Sequence, residues 1–191
     1  MENREDRKRF EVEALPAMDA LYRSALKLTK NSVDAEDLVQ EAYIKAYRFW
    51  DKFEPGSNCR AWLFKIMTNV FINQYRSRSR SPVSASSDEL DDRFLYAGDL
   101  ALEQMSDPER ELSRNLLERD VHRAIENLPD DFKVVVVLSF LERFSYKEIA
   151  KITGLHLGTV KSRLHRGRKL LQKRLIKYAY EYGYATQLAA S

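Results

Sequence analysis

The sequence has a single cysteine, Cys59, so no internal disulfide can form and a reducing compartment suits it. It has no apolar run near the 18 or so residues that a membrane-crossing helix needs. Its first residues, MENREDRKRF, lack the apolar core of a secretory signal. These absences predict a cytoplasmic protein with no membrane insertion. Histidine is scarce as well. His122, His156 and His165, taken with Cys59, have no metal-ligand spacing, and the six glycines form no phosphate-cradling loop. No metal, cofactor or catalytic residue is therefore expected, and an enzyme is a poor reading. The most informative absence is local: no acid occurs between His156 and Leu175.

What fills that acid-free stretch organises the chain. Ser145 and Glu148 have capping-box spacing, which predicts a helix start at Tyr146. Ile149, Ala150 and Ile152 give it a short apolar face. Gly154 follows, at a place where a tight turn needs a residue free to adopt positive φ. A second helix is predicted from about His156, with Leu157, Val160, Leu164, Leu171 and Leu175 on one face and the register loosened around Gly167. The other face carries Lys161, Arg163, Arg166, Arg168, Lys169, Lys173 and Arg174. Two helices around a glycine turn, the second of one charge sign, read as a helix-turn-helix with a recognition helix. A merely solvated cationic face is the plainer alternative.

At 191 residues and 44% hydrophobic, the chain has room for one ordinary domain or two small ones. The net charge of +3 hides an uneven distribution. Residues 1–9 are charged and expected to fray. Leu15, Met18, Leu21, Tyr22, Ala25 and Leu28 predict one amphipathic helix over 10–30, with Pro16 near its start. Asn31 or Ser32 caps a second helix over 34–50, with Ala35, Leu38, Val39, Ala42, Ala46 and Phe49 inward. Its other face shows Asp37, Gln40, Glu41, Ile44 and Arg48, either plain surface or a dock for a protein partner. A turn over 51–58 leads to a helix over 59–76, capped by Asn58 or Ser57. On that helix Leu63, Ile66, Met67, Val70 and Gln74 follow one stripe, and Arg60, Trp62, Phe64, Lys65, Thr68, Asn69, Asn73, Tyr75 and Arg76 share the remaining face. Interleaved rings, amides and cations suit unstacked bases; Trp62 and Phe71 fit a core equally well.

Composition then changes. Residues 81–107 hold seven acids against the single base Arg93, a net of −6, and SPVSASSDELDD has little to bury. This predicts a flexible acidic linker. Order resumes at Asp107-Pro108, with a helix to about Asn127 and another over 130–141. The β-branched run Val134 to Val137 also fits a strand, but the acidic start Asp130-Asp131 and the absence of a partner strand favour helix. The alternating tyrosines Tyr178, Tyr180, Tyr182 and Tyr184 have no assigned role. The expected fold is all-α: two small helical domains, 10–80 and 108–178, with a linker over 81–107 and no shared interior.

Two blocks of this sequence carry a family resemblance. DAEDLVQEAYIKAYRFW and NCRAWLFKIMTNVFINQY resemble region 2 of bacterial RNA polymerase sigma factors. LP, SYKEIA and GTVKSRLHRGRKLL resemble region 4. With no third domain between them, the arrangement resembles the extracytoplasmic-function (ECF) group, and FEPGSNCRAWLFKIMTNVFINQYR is most similar to its SigR/SigH-like members. GTVK also resembles the recognition helix of LuxR-type regulators, the alternative being a stand-alone helix-turn-helix regulator, which leaves residues 10–76 without an account. The sigma resemblance implies a non-enzymatic specificity subunit that binds core polymerase, recognises −35 and −10 promoter elements and helps melt DNA, at stress-response genes. It implies that Asp37, Leu38, Gln40 and Glu41 face the polymerase clamp helices. It places Trp62, Phe64, Lys65, Asn69, Asn73 and Arg76 at the −10 element, with Phe53 to Ser57 shaping a flipped-base pocket. It sends Thr159, Lys161, Ser162, Arg163, His165 and Arg166 into the −35 major groove, and Lys161 and Arg166 are the best candidates for guanine edges. An anti-sigma partner is implied too, as is a linker path along the polymerase's RNA exit. Cys59, near a helix start, reads as a packed thiol or as one activated by the helix.

Overall fold

The computed structural model describes residues 4–78 and 120–181, with side chains over 4–74 and 120–176. The expected linker, the side chain of Arg76 and the terminal tyrosines lie outside the described side chains. Every element among the described residues is helical.

The first lobe has four helices. α1 runs Arg4–Ala14 and α2 Met18–Thr29, separated by a 3₁₀ turn Leu15–Ala17. This corrects two expectations. Residues before Phe10 are helical, supported by the Arg7–Glu11 and Arg9–Glu13 pairs four apart. And Pro16, which has no N–H to give, splits the expected single helix in two. α2 ends at Lys30, left-handed at φ 63°. α3, Ser32–Arg48, starts on Asn31, whose side chain accepts from the N–H of Val33 and of Asp34. α4, Cys59–Arg78, starts beside Asn58, which accepts from the Ala61 N–H at 3.0 Å. α2, α3 and α4 pack around Leu21, Ala25, Leu38, Ala42, Leu63 and Met67, all at most 1% exposed. One corner is aromatic: Trp50 stacks on Phe53 at 4.7 Å, and Phe10 and Trp62 meet Trp50 edge-on.

The second lobe comprises α5 over 120–126, α6 Asp130–Val136, α7 Tyr146–Thr153 and α8 Leu157–Glu181. The β-branched run is helical, as its acidic start predicts. Its end is unusual: Val137–Leu141 widens into a π-turn, and Arg143 then sits left-handed at φ 57°. α7 carries the capping box, with the Ser145 N–H donating to Glu148 at 2.8 Å and the Glu148 N–H to Ser145 Oγ at 3.3 Å. Gly154 ends α7 at φ 70°. Val160 and Leu164 of α8 are buried against Val135, Val136, Ile149 and Ile152. Gly167 explains the loosened register: α6 comes so close that a Cβ there would stand 2.8 Å from Val136 Cγ2.

The expectation of no shared interior fails. α4 packs on α7, α2 touches α6, and the buried residues of both lobes form one cluster. The reason lies on α4. Phe64 and Thr68, assigned to its outer face, are at most 1% exposed, so the middle of α4 is covered on two sides. Phe64 meets Phe144 edge-on at 5.2 Å. Around this contact the junction is polar: Lys27 pairs with Glu126 at 3.1 Å, Lys30 donates to Asn127, and Lys133 reaches the Leu28 carbonyl at 3.4 Å. Burial pulls the Lys133 ammonium below its ordinary pKa, while Asp130, accepting at 2.7 Å, opposes the shift.

Candidate nucleic-acid interface

α8 is built to hold one face dry and offer the other. Val160 and Leu164 lock it to α6 and α7, which leaves Lys161, Ser162, His165 and Arg166 exposed on its outer side. Thr159 is half-buried, and its carbonyl accepts from Ser162 Oγ at 3.0 Å. Arg163 is half-buried and paired with Asp131 of α6 at 2.9 Å, so it braces the recognition helix as well as charging it. Arg168 donates to the Tyr146 hydroxyl at 2.8 Å and lies over Phe140, fixing α8 to α7. Sequence reasoning missed Asp131 and Tyr146 as supports. Asp131 signalled only a helix start, and its partner is 32 residues on along the chain.

α4 offers a narrower strip. Lys65, Asn69 and Asn73, spaced by four, are exposed along one side. Trp62 is half-buried at the edge of the aromatic corner, 5.2 Å from Phe53, beside the exposed loop Glu54 to Asn58. Phe64 is corrected: fully buried against Phe144 and Arg60, it is a packing residue in this arrangement. Arg76 falls in the last turns of α4.

The acidic face of α3 keeps Asp37 and Gln40 exposed. Glu41 is half-buried; it pairs with Lys45 at 2.7 Å and accepts from Gln74 at 2.6 Å, tying α3 to α4. Leu38 is 1% exposed and anchors α3 from within, as its apolar spacing predicts and contrary to the clamp-facing place the resemblance implies. Ile44, 53% exposed, adds an apolar contact point among these polar groups. Cys59 is a half-buried free thiol. Burial, with Glu13 nearby, pushes its thiol up to about 11. The described residues contain no cluster fit to hold a metal ion and no helix long and apolar enough to cross a membrane.

Comparison with known proteins matches residues 17–81 to sigma-70 region 2 and 118–171 to sigma-70 region 4. The RNA polymerase sigma-H factor of Pseudomonas aeruginosa is 33% identical over 172 residues, covering 90% of this chain and 89% of that protein. The ECF RNA polymerase sigma-E factor of Escherichia coli is 37% identical over 144 residues, 75% of each chain. The chain belongs to the ECF sigma factors. The ECF sigma factor SigE of Mycolicibacterium smegmatis is 37% identical over 85% of this chain, which spans 60% of that protein's length. Among solved structures, the sigma factor RpoE of Bartonella quintana, in complex with the anti-sigma factor NepR, superposes with a TM-score of 0.63 at 32% identity. It covers 88% of this chain and 97% of that one. ECF sigma factors are initiation factors rather than enzymes. The region 2 match accounts for the residues that a LuxR-type regulator leaves unexplained.

Proposed function

We propose that this ECF sigma factor joins core RNA polymerase through the α3 face, grips the −35 duplex with α8 and captures the opened −10 strand along α4. The observation that carries the reading is the pairing of two different exposed strips on one chain of this family. Lys161, His165 and Arg166 present charge and donors to a groove, while Lys65, Asn69 and Asn73 present amides and one cation to unpaired bases. Arg166 and Lys161 hold guanine edges, each good bidentate pair being worth roughly 1–3 kcal/mol. Extruding a base at the −10 element costs a few kcal/mol. The aromatic corner around Trp62 and the loop after Phe53 offset that cost by stacking and by shaping the pocket. Asp37, Gln40 and Glu41 meet the polymerase clamp, and Leu38 supports them from beneath. The acidic stretch 81–107 links the lobes and stays off DNA. An anti-sigma factor and a cytoplasmic setting at stress-response genes complete the reading. Run-off transcription with core polymerase on a genomic library tests it: start sites sharing two spaced elements are expected, and no initiation at any site would overturn it.

A further inference from the structure

The junction between the lobes is assembled around Glu142. This carboxylate is 7% exposed and held from the opposite lobe on two sides. Ser24, fully buried on α2, donates to Oε1 at 2.6 Å across 118 residues of sequence. Arg60, in the first turn of α4, pairs with the other carboxylate oxygen and donates through Nη1 to the Glu142 carbonyl at 3.1 Å. The same guanidinium lies 4.6 Å over the Phe144 ring.

The second lobe bends its backbone to present these two residues. The Glu142 N–H returns to the Val137 carbonyl at 3.1 Å and the Phe144 N–H to Leu138 at 3.0 Å, closing the π-turn. Between them Arg143 takes a left-handed conformation uncommon for a residue with a side chain. Strained backbone of this kind persists where surroundings hold it, and it gathers at switches. Here Glu142 and Phe144, on either side of the outlier, both contact the first lobe.

The junction is also the wrong composition for a permanent core. One aromatic pair is surrounded by Lys27–Glu126, Lys30–Asn127, Ser24–Glu142–Arg60 and Lys133 on the Leu28 carbonyl. Interfaces between domains that part are more polar than obligate ones, so this mixture fits a contact made to release. In the docked arrangement α8 rests on α7 and α7 on α4. Packed helix axes lie about 8–10 Å apart, so where the three stack the DNA-facing helices stand no more than roughly 20 Å apart. Promoter elements about 16–17 base pairs apart need roughly 55 Å at about 3.4 Å per step.

We propose that Glu142 is an intramolecular latch: it holds region 4 against region 2 in a closed state that cannot span a promoter, and its release precedes assembly with polymerase. The inference rests on the sigma-factor reading for its consequence, and on the geometry alone for the closed state. The free full-length protein is compared with Glu142→Ala and with Lys27→Glu by small-angle X-ray scattering. Wild type is expected compact and both variants extended. The charge swap Lys27→Glu/Glu126→Lys, which rebuilds one pair across the junction, is expected to close the molecule again; a folding defect would not reverse. If the closed form holds about nine-tenths of the free population, core polymerase binds the opened variants roughly tenfold tighter. Scattering indistinguishable from wild type in both variants, or unchanged affinity for core, overturns the latch. Wild type that is compact and opens as described, yet initiates no transcription with core, leaves the closed state standing and sinks the sigma reading instead.

Discussion

α4 and α8 both offer a strip to DNA, and they are built in opposite ways. α8 is buried along one face and charged over the rest, with Val160 and Leu164 inward and Lys161, His165 and Arg166 outward. α4 is enclosed on two sides, with Leu63, Met67 and Val70 buried along one and Phe64, against Phe144, and Thr68 buried along another, which among the described residues leaves a narrow exposed strip that includes Lys65, Asn69 and Asn73. The first design suits an intact duplex, whose phosphates reward cations whatever the sequence. The second suits single bases, which reward amides and rings held in place. A helix for strand capture can therefore be less charged and more deeply packed than one for groove binding.

The largest way to break this comparison is to loosen the packed face of α8. Leu164, 1% exposed, is expected to cost about 2–5 kcal/mol when changed to alanine. Urea unfolding should show that loss, with −35 duplex binding falling alongside it. Arg166→Ala should separate the two properties: stability unchanged, −35 discrimination down by about 1–3 kcal/mol, and a shallower salt dependence by about one phosphate contact if a phosphate rather than a base is its partner. Asn73→Ala should do the reverse, leaving duplex binding intact and slowing open-complex formation in permanganate footprinting.

A smaller effect tests the closeness of α6 to α8. Gly167→Ala brings a methyl to within 2.8 Å of Val136 Cγ2. Alanine gains up to about 1 kcal/mol in helix propensity, but Val136 is stiff and fully buried, and overpacking costs about 1–3 kcal/mol. A net loss near 1 kcal/mol is expected in the melting transition. The smallest is the cap. Ser145→Ala should cost about 1 kcal/mol. The hydrogen bonds from Ser145 hold the Glu148 carboxyl below its ordinary pKa. Their stabilisation is therefore fully present above the ordinary glutamate value of about 4.3 and is lost as pH falls through the lower folded value. Glu148→Gln should flatten that acid limb of the denaturation midpoint.

Much of the second lobe was legible beforehand because its signals are local. A capping box, a turn glycine and a single-signed face each act within a few residues, and Ser145, Gly154 and Lys161 stand as that reading expects. The first lobe was harder at its start, where charged residues 4–9 read as frayed although their i to i+4 pairs support a helix. α4 was harder still. A helix covered on two sides has no clean periodicity, so Phe64 was placed outward when it is core. Leu38 was placed inward by its spacing, as it stands, and only the family resemblance set it beside Asp37 and Gln40, although one step along a helix turns a side chain about 100°.

The amino-acid sequence alone determined most of the helices, the Asn31 and Ser145 caps, the helix-turn-helix pattern and the family, because each depends on neighbours within one or two turns or on contiguous motif blocks. The tertiary structure alone decided that Asp131 braces Arg163, that Gly167 admits Val136, and that Glu142 reaches Ser24 and Arg60. Those pairings join residues from 31 to 118 positions apart, and no local rule of periodicity or capping encodes which distant side chains meet.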